Sequence, residues 1–254
     1  MAPMGATSTR AHLPPEVVDL IIDELRHDKS SLSSCSRVCK SWLPRSSVHL
    51  FCSFHISCIP EAHSEFLSFV PSSTRVSSNI RQLEADLIPA SAATVTPLLE
   101  HLTQLESLSL IGLGLFRDKC DYQLPLVLPT NRILKRLRVA WLPTDVVSYF
   151  LDLFVSVDTL DIRFGERAVR SFRQFSHTVK NLDIKLGTDD ALLDIGSLAD
   201  PTTLESIKLD LGGTHYFQVS ADRVGRFLQS TALHIKHLEY AQPMGGWVIC
   251  PSSK

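Results

Sequence analysis

One short apolar motif recurs through most of the chain after residue 79. In each copy an apolar residue is followed, three and five positions later, by two more, as in Leu105, Leu108 and Leu110. The central residues of the seven copies are Leu83, Leu108, Leu137, Leu160, Leu182, Ile207 and Leu238. Their successive spacings are 25, 29, 23, 22, 25 and 31 residues. Because alternating apolar positions are typical of a strand with one buried face, this near-even spacing predicts one strand in each repeat.

The stretches between the motifs have the pattern of short helices. We expect Thr96 and Pro97 to open one helix and Thr144 to cap another. Two further helices are expected at residues 166–175 and 220–228. A strand and a helix repeated about every 20–29 residues resemble the leucine-rich-repeat proteins. The resemblance implies an α/β fold, an irregular solenoid with parallel strands on one face and helices on the other. The Asn or Cys usual after the third Leu does not recur, so an ordinary α/β domain with several parallel strands is the alternative.

The residues between the strand leucines are polar and carry both signs of charge. A solenoid would expose them on its concave face, where repeat proteins bind their partners. The surface would otherwise be an ordinary solvated face. As a set, these residues are the predicted target-binding surface, with Arg136, Arg138, Asp161, Arg163, Asp183, Lys185, Lys208 and Asp210 as its candidates.

Before residue 53 the apolar pattern is helical. The segment LPPEVVDLIIDEL, residues 13–25, opens with prolines that suit the first turn of a helix, and it carries two adjacent apolar stripes. A second helical stripe runs from residue 32 to residue 42, and we expect Pro44 to disturb or end that helix. Some 40 residues form only a small core, so the surplus apolar surface must pack on the rest of the chain or on a partner.

These N-terminal segments resemble the F-box, a motif of ubiquitin-ligase subunits. The segments are LPPEVVDLIIDEL, SLSSCSRVCKSW (31–42) and VHLF (48–51). The positions that match the family pattern are Leu13, Pro14, Glu16, Ile21, Leu25, Leu32, Val38, Cys39, Lys40 and Trp42. The resemblance covers residues 11–52 and implies a three-helix unit that binds the Skp-family adaptor of a cullin–RING ligase. Carried over by position, the adaptor-binding residues would be Leu13, Pro14, Ile21, Leu25, Leu32, Val38 and Trp42.

The resemblance implies a function without catalysis. The chain would be the substrate-recognition subunit of a ubiquitin ligase, cytoplasmic or nuclear, with residues 53–250 holding a protein target and no cofactor or metal. Two alternatives stay open: an adaptor-bound scaffold outside a ligase, or an α/β enzyme whose N-terminal helices only pack on it. At the end of the chain, GGWVICPSSK either folds over the last strand or marks a truncated C-terminus.

Composition argues against several other classes of function. The 25 basic and 27 acidic residues give a formal net charge of -2, without the basic excess typical of nucleic-acid binding. We see no run of roughly 18 apolar residues that would cross a membrane, and no secretory signal. Cys35, Cys39, His49, Cys52, His55 and Cys58 have the wrong spacing for common zinc sites, and the first two are expected on the apolar stripe. No catalytic sequence motif is present.

Overall fold

The chain forms two compact units, Met1–Ser53 and Phe54–Lys254. The structure, a computed structural model, describes residues 13–57, 60–87, 92–112, 130–163, 178–185, 202–210, 225, 228–229, 235–242 and 246–250.

The described part of the first unit consists of three helices: α1 Pro15–Glu24, α2 Lys29–Val38 and α3 Leu43–Phe51. α1 begins with a proline because the first helical turn needs no backbone N–H donor. α2 follows Asp28, whose carboxylate accepts hydrogen bonds from the backbone N–H groups of Ser30 and Ser31. This is the usual capping interaction at a helix N-terminus.

A small apolar cluster joins the three helices. Its buried members are Val18, Ile22 and Leu32. Partly buried side chains packed against them are Leu25, Trp42 and Leu50. Each fully buried aliphatic side chain contributes about 1.5–3 kcal/mol, so a cluster with three buried members stabilises the unit only modestly.

Polar contacts tie α3 to both other helices. The Asp23 carboxylate of α1 accepts hydrogen bonds from Arg45, with Nε at 2.6 Å, and lies 2.7 Å from His49 Nε2. The Lys29 ammonium of α2 donates to the carbonyls of His49 and Leu50 at 2.7 and 3.0 Å. A cation is favourable there because the last carbonyls of a helix lack internal donors.

Two expectations for this unit were wrong. Pro44 does not end the second helix: α2 ends at Val38, and Pro44 lies in the first turn of α3, where proline costs no hydrogen bond. Cys35 is buried as expected, but Cys39 is exposed. The cause is its extended backbone, with φ -161°, which takes Cys39 out of the helical stripe after Val38.

The second unit is built on one sheet. Its described strands are β1 Ser53–Ile56, β2 Gln82–Leu87, β3 Ser107–Gly112, β4 Thr130–Ala140, β5 Phe154–Arg163, β6 Thr178–Lys185, β7 Ser206–Asp210, β8 His237–Gln242 and β9 Gly246–Cys250. Its described helices are α4 Pro60–Ser72, α5 Thr74–Ser77, α6 Ala92–His101 and α7 Thr144–Asp152.

The strands lie in the sheet in the same order as in the sequence. Each pair from β2–β3 to β7–β8 is parallel, and β9 lies antiparallel beside β8. Residues 246–250 of the C-terminal segment therefore pair with the last parallel strand. The fold class is α/β, with strands and helices alternating along much of the second unit.

The seven predicted motifs are aligned across the sheet. Leu83 pairs with Leu108, Leu108 with Leu137, and so on to Ile207 with Leu238, without a slip at the central position. From β2 to β7 all three apolar positions of each motif are buried, while those of β8 are half-buried. The strands predicted from the motif are therefore confirmed. Their register keeps equivalent positions side by side, and a one-residue slip would turn the central apolar positions to solvent.

The helix starts predicted for this unit need correction. α6 begins at Ala92, with Pro97 inside the helix, because the two alanines ahead of the proline favour helix. Thr144 is the first residue of α7 and follows Pro143, which occupies the N-cap position. The helix expected at 166–175 lies outside the described residues, and within 220–228 only residues 225 and 228 are described.

An arginine from the sheet caps α6. The Arg132 guanidinium at the start of β4 donates to the carbonyls of Leu99 and Glu100, the latter at 3.0 Å. These carbonyls lie in the last turn of the helix and lack intrahelical donors. The contact therefore fixes the end of α6 against the strand that follows it.

Candidate functional site

The first candidate surface is an exposed apolar face on α1, which we call the α1 outer face. It consists of Leu13, two residues before the helix, and of Val17, Leu20 and Ile21 on the helix; their exposed fractions are 54%, 40%, 66% and 40%. Val18 and Ile22, one position further along, point into the core. Because the unit's core is already filled from the other side of α1, nothing in the described part of the unit buries this face.

The structure sorts the seven predicted adaptor-binding residues into three groups. Those exposed to solvent are Leu13, Pro14, Ile21 and Val38. Leu32 is fully buried in the cluster, and Leu25 and Trp42 are partly buried against it. The last three therefore support the fold of the unit.

Val17 and Leu20 complete the α1 outer face but were not among the predicted contacts. Their signal was present in the sequence, since Val17, Leu20 and Ile21 follow the 3-1 spacing of one helical face. Sequence alone could not show which of the two adjacent stripes faces the core.

The electrostatics of the helical unit centre on Asp23. Hydrogen bonds from Arg45 and His49 lower the pKa of its carboxyl from 3.8 to about 2. The exposed Cys39 thiol lies 3.0 Å from the Ser41 hydroxyl, and this hydrogen bond lowers the pKa of the thiol. Cys39 directly follows the exposed Val38, so both side chains stand at the end of α2.

The second candidate surface is the polar side of β4–β7, which we call the polar sheet face. It contains the eight predicted target-binding residues. Within the sheet they alternate with the buried motif positions, so all eight project from the side opposite the apolar core. The parallel register places Arg138, Asp161, Asp183 and Lys208 in one row and Arg163, Lys185 and Asp210 in the next.

Most of these charges are paired within the sheet. Asp161 lies 3.6 Å from Arg138 Nε and 3.5 Å from Arg163 Nε. Lys185 pairs with Asp210 at 2.9 Å, and Lys208 pairs with Glu239 of β8 at 3.2 Å. Of the eight residues, Arg136 and Asp183 form no ion pair with any described residue.

Asp183 lies in an unfavourable place for a carboxylate. Burial raises its pKa, and the negative charge of Asp161, directly opposite on β5, raises it further. Lys208 and Arg163 act in the other direction without reversing the shift. Two further polar atoms in the same row, Ser109 Oγ and Arg138 Nε, are buried without a hydrogen-bond partner. The face therefore contains unsatisfied polar groups near its centre.

Another row of charged residues crosses the sheet. Each of its members lies two positions before the central residue of a motif. We call it the strand-entry ladder, and its members in chain order are Arg81, Glu106, Lys135, Asp158, Lys180, Glu205 and Lys236. The sign of charge alternates at every step. Glu106 bonds to both neighbours, at 2.6 Å to Arg81 and 2.8 Å to Lys135.

Further along the strand-entry ladder, Lys180 lies 2.7 Å from Asp158, and Lys236 lies 3.1 Å from Glu205. Sequence reasoning overlooked this ladder, although its alternation is visible once the motifs are aligned. Because opposite charges on neighbouring strands attract and like charges repel, it favours this order of repeats.

Trp141 is a third exposed feature that the sequence did not single out. It follows β4 with φ 55°, in the left-handed backbone region that few residues other than glycine adopt, and its side chain is half exposed. Its backbone N–H donates to the carbonyl of Arg163 at 2.8 Å. This bond holds the turn that leads from β4 into α7.

No grouping of three or more His, Cys, Asp and Glu side chains suited to a metal ion occurs among the described residues. Of the six residues weighed as zinc ligands, Cys35 is in the core, Cys39 is on the surface, and Cys58 lies outside the described residues. Within the described helices, none has the length and apolarity needed to cross a membrane.

Comparison with known proteins adds no assignment to this geometry. No protein-family model matches the chain, and no curated protein matches it significantly.

Proposed function

We propose that this chain is the substrate-recognition subunit of a cullin–RING ubiquitin ligase. Its helical unit would act as an F-box that binds a Skp-family adaptor. Its sheet would be an irregular leucine-rich-repeat solenoid that holds a protein target. Other subunits would transfer ubiquitin, and this chain would raise the effective concentration of the target near them.

The observation that carries the proposal is the α1 outer face. Four large apolar side chains are exposed on a unit of about fifty residues whose core is filled by other side chains. Exposed apolar patches of this kind typically mark protein-binding surfaces. Leu13 and Ile21 of this face are also positions that match the F-box pattern.

The sheet supports the second half of the proposal. Strand order follows sequence order, and aligned motifs place equivalent leucines side by side from β2 to β8. This is the arrangement expected of stacked repeats, in which each unit contacts mainly its neighbours. The polar sheet face then offers a continuous surface to a target.

The direct test is co-expression of the full chain with a Skp-family adaptor. We expect a stoichiometric complex for the wild type and none for Leu20→Asp/Ile21→Asp. Both side chains are exposed, so the variant should unfold at the same urea concentration as the wild type. Leu25 and Trp42 are poor choices for this test, because their replacement would disturb the core as well.

Asp19→Ala is the matched control, since Asp19 is exposed on the same helix and points away from the face formed by Val17, Leu20 and Ile21. The proposal would be wrong if the wild type stayed free of adaptor, or if the double variant still bound it. Adaptor binding without ubiquitin transfer to any captured protein would instead indicate a scaffold outside a ligase.

A further inference from the structure

On the polar sheet face, Arg136 and Asp183 form no ion pair with any described residue. The other six of its eight charged residues have ion-pair partners within the sheet, with Arg138 and Arg163 sharing the carboxylate of Asp161. Arg136 and Asp183 carry opposite signs. All the nearest cations to Asp183 on its own and adjacent strands already pair with other carboxylates: Arg163 with Asp161, Lys185 with Asp210, and Lys208 with Glu239.

The register fixes the separation of these two charges. Arg136 lies beside Thr159, which lies beside Asn181, and Asp183 follows Asn181 by two residues on the same strand. With strands about 4.8 Å apart and a rise of about 3.3 Å per residue, the two Cα atoms are about 12 Å apart. Both side chains project from the same side of the sheet, because each is one position from a buried central leucine.

Asp183 costs the isolated fold stability. It is half-buried, and its strand neighbour in register is Asp161, a like charge in the position where cross-strand pairs repel. A carboxylate removed from water without a cation is unfavourable. A cation from a ligand would remove this cost. An asparagine at position 183 would avoid the cost without any ligand, because its side chain carries no charge. The position is therefore better suited to binding than to folding.

We propose that the polar sheet face binds a segment of a partner protein that places a Lys or Arg side chain on Asp183 and an Asp or Glu side chain on Arg136. This partner is the ligase target if the proposed function is correct. The binding of the segment itself does not depend on the ligase role. Two charges about 12 Å apart match side chains a few residues apart on one extended segment.

The same charges argue against a nucleic-acid ligand for this face. A phosphate backbone requires several free cations, and here Arg138, Arg163, Lys185 and Lys208 already form ion pairs with carboxylates of the sheet. The uncompensated Asp183 would repel a phosphate. A protein segment with both signs of charge is the class of partner that fits.

The test uses the intact chain and a display library of random twelve-residue peptides. We expect selected peptides to be enriched in pairs of one basic and one acidic residue. A synthetic peptide of the most frequent sequence should bind Asp183→Asn and Arg136→Gln at least tenfold more weakly by fluorescence anisotropy. Replacing the peptide's basic residue by Ala should weaken wild-type binding and leave binding to Asp183→Asn unchanged.

Glu84→Gln is the matched control for Asp183→Asn, because it changes a half-exposed acid of the same row on β2, four strands from Asp183. Its affinity for the peptide should stay within twofold of wild type. Selection of no peptide, of peptides without charge enrichment, or of peptides that bind Asp183→Asn normally would overturn the inference.

Adaptor co-purification with the same variants separates this inference from the proposed function. Asp183→Asn should still bind the adaptor. If peptides bind as described and the adaptor does not, the docking surface stands and the ligase role fails. If the adaptor binds and the peptide tests fail, the reverse holds.

Discussion

Replacing Asp23 by Asn should destabilise the helical unit by a predictable amount. The pKa of its carboxyl falls from 3.8 to about 2 through contacts with Arg45 and His49. At about 1.36 kcal/mol per pKa unit, this lowering corresponds to roughly 2 kcal/mol. The Asp23 and Arg45 side chains are about a third and two fifths exposed, so solvent screens the interaction. We therefore expect Asp23→Asn to lower the free energy of unfolding by about 1 kcal/mol.

The sign of the pH dependence follows from the lowered pKa. Unfolded Asp23 binds a proton more readily than folded Asp23, so its contribution is fully present above pH 4. It is lost as the pH falls from about 4 towards 2. The difference in stability between wild type and Asp23→Asn should therefore be constant at neutral pH and shrink in this acidic window.

Urea unfolding followed by tryptophan fluorescence measures this difference. The chain has three tryptophans, and Trp42 packs against the helical core. Replacing Trp141 and Trp247 by Phe would leave Trp42 as the reporter of this unit. Glu24→Gln, an acid-to-amide change at the neighbouring position, should leave the unfolding curve unchanged. If wild type and Asp23→Asn were equally stable at pH 7, or if their difference grew below pH 4, the contacts of Asp23 with Arg45 and His49 would not stabilise the folded unit as proposed.

Three further predictions concern the sheet. Glu106→Gln should lower the free energy of unfolding by about 1 kcal/mol at low salt, because it breaks two exposed ion pairs of the strand-entry ladder. The loss should shrink in 1 M NaCl in urea melts, and a salt-independent loss would contradict the ion-pair explanation. Asp183→Asn should raise the melting temperature at pH 7, since a carboxyl with a raised pKa destabilises the folded state above that pKa and the amide carries no charge. A lower melting temperature would show that Asp183 stabilises the sheet. Arg132→Met should cost about 1–3 kcal/mol by removing donors from the last carbonyls of α6, measured by thermal unfolding, and an unchanged midpoint would show that the cap is dispensable.

The sheet was largely predictable because its information is local and periodic. Each motif places its second and third apolar residues on one side of a strand, and a one-residue slip against a neighbouring strand would turn them to solvent. The spacing from Leu83 to Leu238 is therefore enough to identify seven strands and their alignment. The alternating apolar pattern of residues 52–56 likewise predicts a leading strand, and β1 lies at Ser53–Ile56.

Helix boundaries were less predictable, because they depend on competition between neighbouring residues. Pro97 suggested a helix start, but Ala92 and Ala93 extend the helix ahead of it. Pro44 suggested a helix end, yet it lies in the first turn of the next helix. In both cases the residues around the proline decide whether it lies at the start of a helix, after its end or within it.

The candidate surfaces were predictable as sets of residues but not in their internal roles. Sequence placed Arg136 and Asp183 on the same face as six other charged residues. Which charges pair depends on distances between side chains on adjacent strands, and these exist only in the fold. Similarly, the helical pattern could not show that Ile22 faces the core and Ile21 faces solvent, since both positions are apolar.

Adaptor binding through the α1 outer face is the main element of the proposed function, and hydroxyl-radical footprinting tests it most directly. The full chain would be labelled with and without a Skp-family adaptor, and modification would be quantified for each residue by mass spectrometry. We expect the adaptor to reduce the modification of Leu13, Val17, Leu20 and Ile21 strongly, and to leave the modification of the polar sheet face unchanged. Binding without protection of these four residues, or no binding at all, would contradict the proposed function.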